Sequence, residues 1–215
     1  MSGVALIVIA KEPIAGRAKT RLCPPCTPHQ AAALAGAALR DTLATVARTP
    51  AARRVLAFEG DATRWAPNRF ELVRQRGDGL AERLAAAFDD VGQPALLVGM
   101  DTPQLTSALL LDGLAALTRP DIDAVLGPAT DGGYWSIGLA GPAHAADVFA
   151  GIPMSEPMTC KAQAARLREL GLRVHGQPML TDIDTFADAQ EVAALAPRTL
   201  FARALASVRP STVAA

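Results

Sequence analysis

Val4-Ala-Leu-Ile-Val-Ile-Ala10 is an uninterrupted apolar run that passes straight into Lys11-Glu-Pro-Ile-Ala-Gly-Arg-Ala-Lys-Thr-Arg21. The run reads as a buried strand. The stretch after it gathers Lys11, Arg17, Lys19 and Arg21, is punctuated by Pro13 and Gly16, and holds only Glu12 in opposition. A loop with this much positive charge at the C-terminal end of a buried strand is a natural seat for phosphates, and Gly16 permits close backbone approach. Any one of these cations has the plain explanation of a solvated surface. Gly16-Arg-Ala-Lys-Thr20 is not a P-loop, because the first glycine and the adjacent Gly-Lys-Thr are missing.

Further along, Pro28 to Arg48 sets Ala35, Leu39, Leu43 and Val46 on one stripe, which predicts a helix packed on a sheet. Strands are expected at 53–58, 70–74, 94–99, 123–126, 134–139 and 172–174, and helices from about 80, from Thr106, over 157–170 and over 186–207. Asp78 is the expected cap of the helix that begins near Leu80. Trp135, Ile137 and Leu139 alternate and are expected to share one sheet face. Strands alternating with helices imply an α/β fold, a mostly parallel sheet covered on both faces. A single domain over 1–206 and a loose tail at 207–215 complete the division, since no linker or repeat divides the chain.

Half of the 215 residues are hydrophobic, and Lys plus Arg equals Asp plus Glu at 21 each. No global field therefore points to nucleic acid or an anionic membrane. The balance hides a skew, because residues 1–60 hold eight Lys/Arg against three Asp/Glu. No apolar run is long enough to span a bilayer and the N-terminus lacks signal-peptide features, so a cytoplasmic protein is expected. Cys23-Pro-Pro-Cys26 has zinc or redox spacing but no further ligands, and reads as coincidental. His29, His144 and His175 lie in separate contexts and receive no chemistry.

Asp101 follows the apolar strand at 94–99, where open α/β sheets place their ligands, and a carboxylate there facing a polyphosphate would hold Mg²⁺. A helix cap or turn former is the plainer alternative. Asp182 and Asp184 lie two apart, so an extended segment would point both to one face, and one of them could add a second carboxylate. Asp131-Gly-Gly-Tyr134 combines an acid with Gly132 and Gly133, as either a tight turn or a close approach to substrate. Tyr134 and Trp135, two of nine aromatic residues, follow at once and suit a sugar or a base.

Four motifs in order carry a family resemblance: Lys-Glu-Pro-x-x-Gly-x-x-Lys-Thr-Arg-Leu (11–22), Gly-x-Asp-x-Pro-x-Leu (99–105), Gly-Pro-Ala-x-Asp-Gly-Gly-Tyr-Trp-x-Ile-Gly-Leu (127–139) and Thr-Asp-Ile-Asp-Thr (181–185). Over residues 3–195 the chain resembles the bacterial glycosyltransferase-A-fold proteins once grouped as a domain of unknown function (DUF2064) and now labelled TIGR04282-type glycosyltransferases. They belong to the nucleotide-diphospho-sugar transferase superfamily, which also contains nucleotidyltransferases. The resemblance implies a Rossmann-like sheet of about seven strands, with nucleotide on the N-terminal half and acceptor on the C-terminal half. It implies that Lys19 and Arg21 touch phosphates, that Asp101 and Asp184 hold the metal, and that the turn Gly77-Asp78-Gly79-Leu80 lies near the nucleoside. The family stretch reads closer to Gly-Asp-Leu-Gly-Glu-Arg, whereas here it is Gly77-Asp-Gly-Leu-Ala-Glu-Arg83, so the glycine is displaced.

Residues and resemblance together lead to a transferase using Mg²⁺ or Mn²⁺ and a nucleotide-activated donor, most simply a nucleoside-diphosphate sugar, with a small-molecule acceptor. Lys11, Gly16 and Arg17 join Lys19 and Arg21 in the phosphate loop. Asp131 orients the acceptor or acts as base, and Tyr134 with Trp135 walls the pocket. One alternative is a nucleotidyltransferase consuming an NTP, and another is a non-catalytic nucleotide-binding protein.

Overall fold

The computed structural model describes residues 3–141 and 145–208. His144 and residues 209–215 of the expected tail lie outside them. Seven strands form one sheet: β1 (Ala5–Lys11), β2 (Arg54–Glu59), β3 (Glu71–Arg74), β4 (Ala95–Val98), β5 (Ala124–Pro128), β6 (Tyr134–Leu139) and β7 (Val174–Gly176). Their order is β3-β2-β1-β4-β6-β5-β7, and β6 alone runs antiparallel to its neighbours. The expected mostly parallel α/β sheet of about seven strands is what the chain forms.

The helices are α1 (Pro28–Arg48), α2 (Leu80–Val91), α3 (Ser107–Ala116), α4 (Ala145–Phe149), α5 (Thr159–Glu169), α6 (Phe186–Leu195) and α7 (Leu200–Ala206); α1 and α3 cover one face of the sheet and α2, α4 and α5 the other. Alternation along β1 divides the core. Leu6 and Val8 pack with Leu39 and Leu43 of α1 and Leu110 and Leu114 of α3, whereas Ala5 and Ile7 pack with Leu84 and Phe88 of α2 and Phe149 of α4. Because β1 buries both faces, its apolar run has no polar break. Thr27 caps α1 reciprocally with Gln30, and Pro28 occupies the first turn, where its missing N–H costs nothing.

A third cluster lies on the far side of α1. Leu34 and Ala38 meet Leu22 and Cys26, Ile183, Val192 of α6 and Phe201 of α7. Cys26 is thus a core residue, with Cys23 partly packed beside it.

Several local expectations are corrected. Asp78 does not cap α2; Gly79 holds the cap position without a side-chain bond, and Glu82 reaches back to accept from the Asp78 N–H instead. The region 186–207 is two helices rather than one, parted near Pro197, which cannot continue the backbone ladder. The last strand starts at Val174, not at Leu172, and ends at Gly176. Trp135 does not share a face with Ile137 and Leu139. Gly127 pairs with Ser136 and Pro128 with Tyr134, so Trp135 is the extra residue of a bulge. Its indole turns to the α1/α3 side, while Ile137 and Leu139 face α2 and α4.

Candidate functional site

Burial of two residues far apart in sequence assembles the site. Leu22 ends the 3₁₀ turn Thr20–Leu22, Ile183 lies between Asp182 and Asp184, and both are fully buried in the cluster outside α1. Packing them together draws Lys19 and Arg21 against the two aspartates. The Ile183 peptide then ties in the end of the β4 segment: its N–H donates to the Asp101 carbonyl at 3.1 Å, and its carbonyl accepts from the Lys19 ammonium. Lys19 adopts a left-handed backbone, φ 49°, as does Ser155 at φ 62°. They are the two non-glycine residues with positive φ among those described, and both border the cleft. Such backbone strain is retained where the surroundings over-determine it.

The cleft runs along the C-terminal ends of the strands in two lobes. The polar lobe, about 810 Å³, lies under the Lys11–Arg21 loop. The apolar lobe, about 450 Å³, lies over β1, β2 and β4. Both lobes include Lys11, Asp101, Asp131, Gly133, Ser155 and Asp182, so these residues mark the junction. Each volume is that of a small-molecule site.

Positive charge in the polar lobe is matched from within. Lys19 Nζ is 3.0 Å from Asp101 Oδ1 and 3.9 Å from Asp182 Oδ2, and Arg21 pairs with Asp184. Carboxylates lining the lobe outnumber its cations seven to four. Burial alone would lower the Lys19 pKa, but the charges of Asp101, Asp182 and Asp184 outweigh it and hold the ammonium above its usual value. The Asp182 carboxyl is pushed up to about 8, first by burial and then by the Asp101 charge, with Lys19 opposing. Lys11 and Arg17 also line the lobe and have no ion-pair partner among the described residues.

The oxygen donors at the junction suit a hard divalent cation. Asp101 Oδ1 is buried and has the Lys19 ammonium beside it, but in a geometry that makes an ion pair without an aligned hydrogen bond. Crowded carboxylates, one of them driven towards its protonated form, are relieved by such an ion. Among the described residues no three ligating side chains stand together, so the protein offers a partial shell that phosphates or water would complete.

The apolar lobe has Ile9, Leu80, Leu84 and Leu97 as walls. Gln75 fixes its floor by donating both amide hydrogens through Nε2, to the Ala10 carbonyl at 2.7 Å and the Ala57 carbonyl at 3.0 Å. At its rim Glu59 pairs with Arg83, whose Nε also reaches the Gly77 carbonyl at 3.2 Å.

Other residues singled out in the sequence fall into two groups. Asp131 reaches both lobes, with Oδ1 accepting from the Gly133 N–H at 2.8 Å, so it forms the turn and still offers Oδ2 to the cleft. Tyr134 borders the apolar lobe, and burial raises its phenol far above the usual range. Trp135 reaches the same lobe but is only 2% exposed, its indole N–H donating to the Pro178 carbonyl at 3.0 Å. Gly16, Gly77, Asp78, Gly79 and Gly132 line neither lobe. Gly16, φ 78°, serves the turn in which Arg17 and Ala18 donate to the Ile14 carbonyl. The close approach at Gly132 is to protein: a Cβ there would sit 2.0 Å from the Pro157 carbonyl oxygen.

Of the turn at 77–80 that the resemblance set near the nucleoside, Leu80 lines the apolar lobe, and Arg83, at the end of the same motif, lines it too. Sequence reasoning did not find Glu59, Gln75 or Ser155, and only Glu59 left a signal, as an acid at the C-terminal end of the second strand. The partnership of Lys19 with Asp182 spans too many residues for any local pattern to show it.

No curated protein has a matching sequence. The chain is similar to a protein solved under the name "putative nucleotide-diphospho-sugar transferase from Desulfovibrio desulfuricans G20", at 29% identity and TM-score 0.77, over 91% of this chain and 97% of that one. It is similar in fold to Rv0371C of Mycobacterium tuberculosis H37Rv, solved as a complex with manganese (19% identity, TM-score 0.56, 89% and 97% of the two chains). It is similar in fold also to CMP:2-keto-3-deoxy-manno-octonic acid synthetase complexed with CTP (11%, 0.58, 91% and 99%). The profile of the family described as "Uncharacterized protein conserved in bacteria (DUF2064)" matches residues 42–156, just over half of the chain. The chain belongs to that family and has the fold of the nucleotide-diphospho-sugar transferase superfamily.

Proposed function

We propose that this protein is a metal-dependent glycosyltransferase that takes a nucleoside-diphosphate sugar as donor and releases the nucleoside diphosphate. One observation carries the reading: a polar lobe with a buried, charge-stabilised lysine and an apolar lobe meet at Asp101, Asp131 and Asp182. A donor of this class has matching parts, with nucleoside in the apolar lobe, diphosphate at the junction and sugar towards Asp131.

Lys19 is held protonated and is positioned by Asp101 and the Ile183 carbonyl, so it can meet negative charge developing on the departing diphosphate. Arg21, Arg17 and Lys11 would bind the remaining phosphate oxygens. Asp101 and Asp184 would hold Mg²⁺ or Mn²⁺, and such an ion supplies Lewis-acid stabilisation of the diphosphate. Asp131, fixed through Oδ1, would orient an acceptor hydroxyl or take its proton through Oδ2.

Nucleotidyl transfer from an NTP is the second reading, favoured by Lys11 and Arg17, two cations to spare for a third phosphate. Product analysis separates the two. The protein is incubated with divalent metal and either a panel of nucleotide sugars or the four NTPs, each with candidate acceptors. Release of a nucleoside diphosphate supports the first reading, release of pyrophosphate the second, and neither product overturns both.

A further inference from the structure

We propose that the apolar lobe selects guanine, through Arg83, Glu59 and Gln75. The inference rests on reading that lobe as the nucleoside half of the donor site. Leu80 borders it while remaining 42% exposed, a large apolar surface that a flat base would cover. The polar groups beside it are fixed by bonds that leave a defined remainder.

Gln75 spends Nε2 on the Ala10 and Ala57 carbonyls, so its amide cannot turn over and Oε1 stays an acceptor. Arg83 spends Nη1 on Glu59 Oε2 and Nε on Gly77, leaving Nη2 as donor and Glu59 Oε1 as acceptor. None of these remaining atoms has a partner among the described residues. Glu59 is paired with Arg83, and Gln75 is anchored on the carbonyls of Ala10 in β1 and Ala57 in β2, so all three border the same lobe. The site therefore presents one donor and two acceptors.

Only one common base complements that set along its pairing edge. Guanine presents an acceptor (O6) and then two donors (N1–H and the N2 amine). Cytosine presents donor, acceptor, acceptor, and uracil acceptor, donor, acceptor. Adenine presents a donor and then an acceptor. Each wrong base leaves at least one of the protein's groups facing a like group, the kind of mismatch by which a hydrogen-bonding site rejects an analogue.

Binding of GDP, IDP, ADP, CDP and UDP to the wild-type protein, measured calorimetrically with Mg²⁺, tests the proposal. GDP is expected to bind about tenfold more tightly than ADP, CDP or UDP. IDP, which lacks the N2 amine, is expected to fall between them. Glu59→Gln replaces an acceptor-only carboxylate with an amide and is expected to bring the GDP advantage to within about twofold. The wild-type series, GDP against IDP above all, decides the matter even where the variant fails to fold. Equal affinities, preference for another base, or an advantage that survives in Glu59→Gln would overturn guanine selection and leave the donor-site reading standing. Binding of none of the five would overturn both.

Discussion

The two lobes of the cleft are built on opposite principles. In the polar lobe the protein's charges largely answer one another: Lys19 lies between Asp101 and Asp182, and Arg21 on Asp184. In the apolar lobe the bonds of Gln75, Arg83 and Glu59 fix side chains but leave hydrogen-bonding atoms unspent beside aliphatic walls. Cations paired before a ligand arrives suit a site where charge moves. Fixed and unspent hydrogen-bonding atoms suit a site that chooses. The polar lobe should therefore govern turnover and the apolar lobe affinity.

The sharpest way to break this contrast is Lys19→Ala. It removes the buried cation of the polar lobe and is expected to lower turnover by about 10²–10³-fold, while nucleoside diphosphate affinity changes far less. Steady-state kinetics beside calorimetric binding would show it. Equal losses in both would mean that the lobes do not divide the work.

The next effect concerns pH and the metal-free protein. Above about pH 4 the unfolded chain ionises Asp182, whereas the folded protein retains the proton until about 8. The folded state then binds more protons, so the contribution of Asp182 to stability is greatest below about pH 4 and declines until about pH 8. Urea denaturation in EDTA at pH 5 and pH 8.5 should show a smaller drop for Asp182→Asn than for wild type. Parallel drops would place the strain elsewhere.

The smallest effect is expected in the apolar lobe. The Tyr134 hydroxyl lies 3.4 Å from Gln163 Oε1 and 3.7 Å from Met154 Sδ, both long contacts. Tyr134→Phe should cost less than about 1 kcal/mol in chemical denaturation. A larger loss would make the hydroxyl, rather than the ring, the structural part of that wall.

The fold was legible because its signals are local. The apolar run of β1 is buried on both faces, and the stripe of α1 packs on the sheet with Thr27 and Pro28 opening the helix. Trp135 misled because a bulge is set by register with β5, and one extra residue reverses the face. Asp78 misled because Glu82, one turn away, competes for the same helix end. At the site, Lys11, Lys19, Arg21, Asp101 and Asp131 stood out by residue type and by their place at strand ends, and all of them line the cleft. Their pairing did not stand out. Opposition to the basic loop comes from residues more than 80 positions away, brought in by burial of Leu22 and Ile183. Glycines were the least readable class. A glycine that admits a ligand and one that admits Pro157 look alike in sequence.

A crystal structure of the protein with a nucleoside diphosphate and Mn²⁺, with anomalous scattering used to locate the metal, tests the division of the cleft most directly. The base is expected against Leu80 in the apolar lobe, the diphosphate beside Lys19 and Arg21, and the manganese peak within coordination reach of Asp101. A base seated in the polar lobe, or a manganese peak away from Asp101, would contradict it.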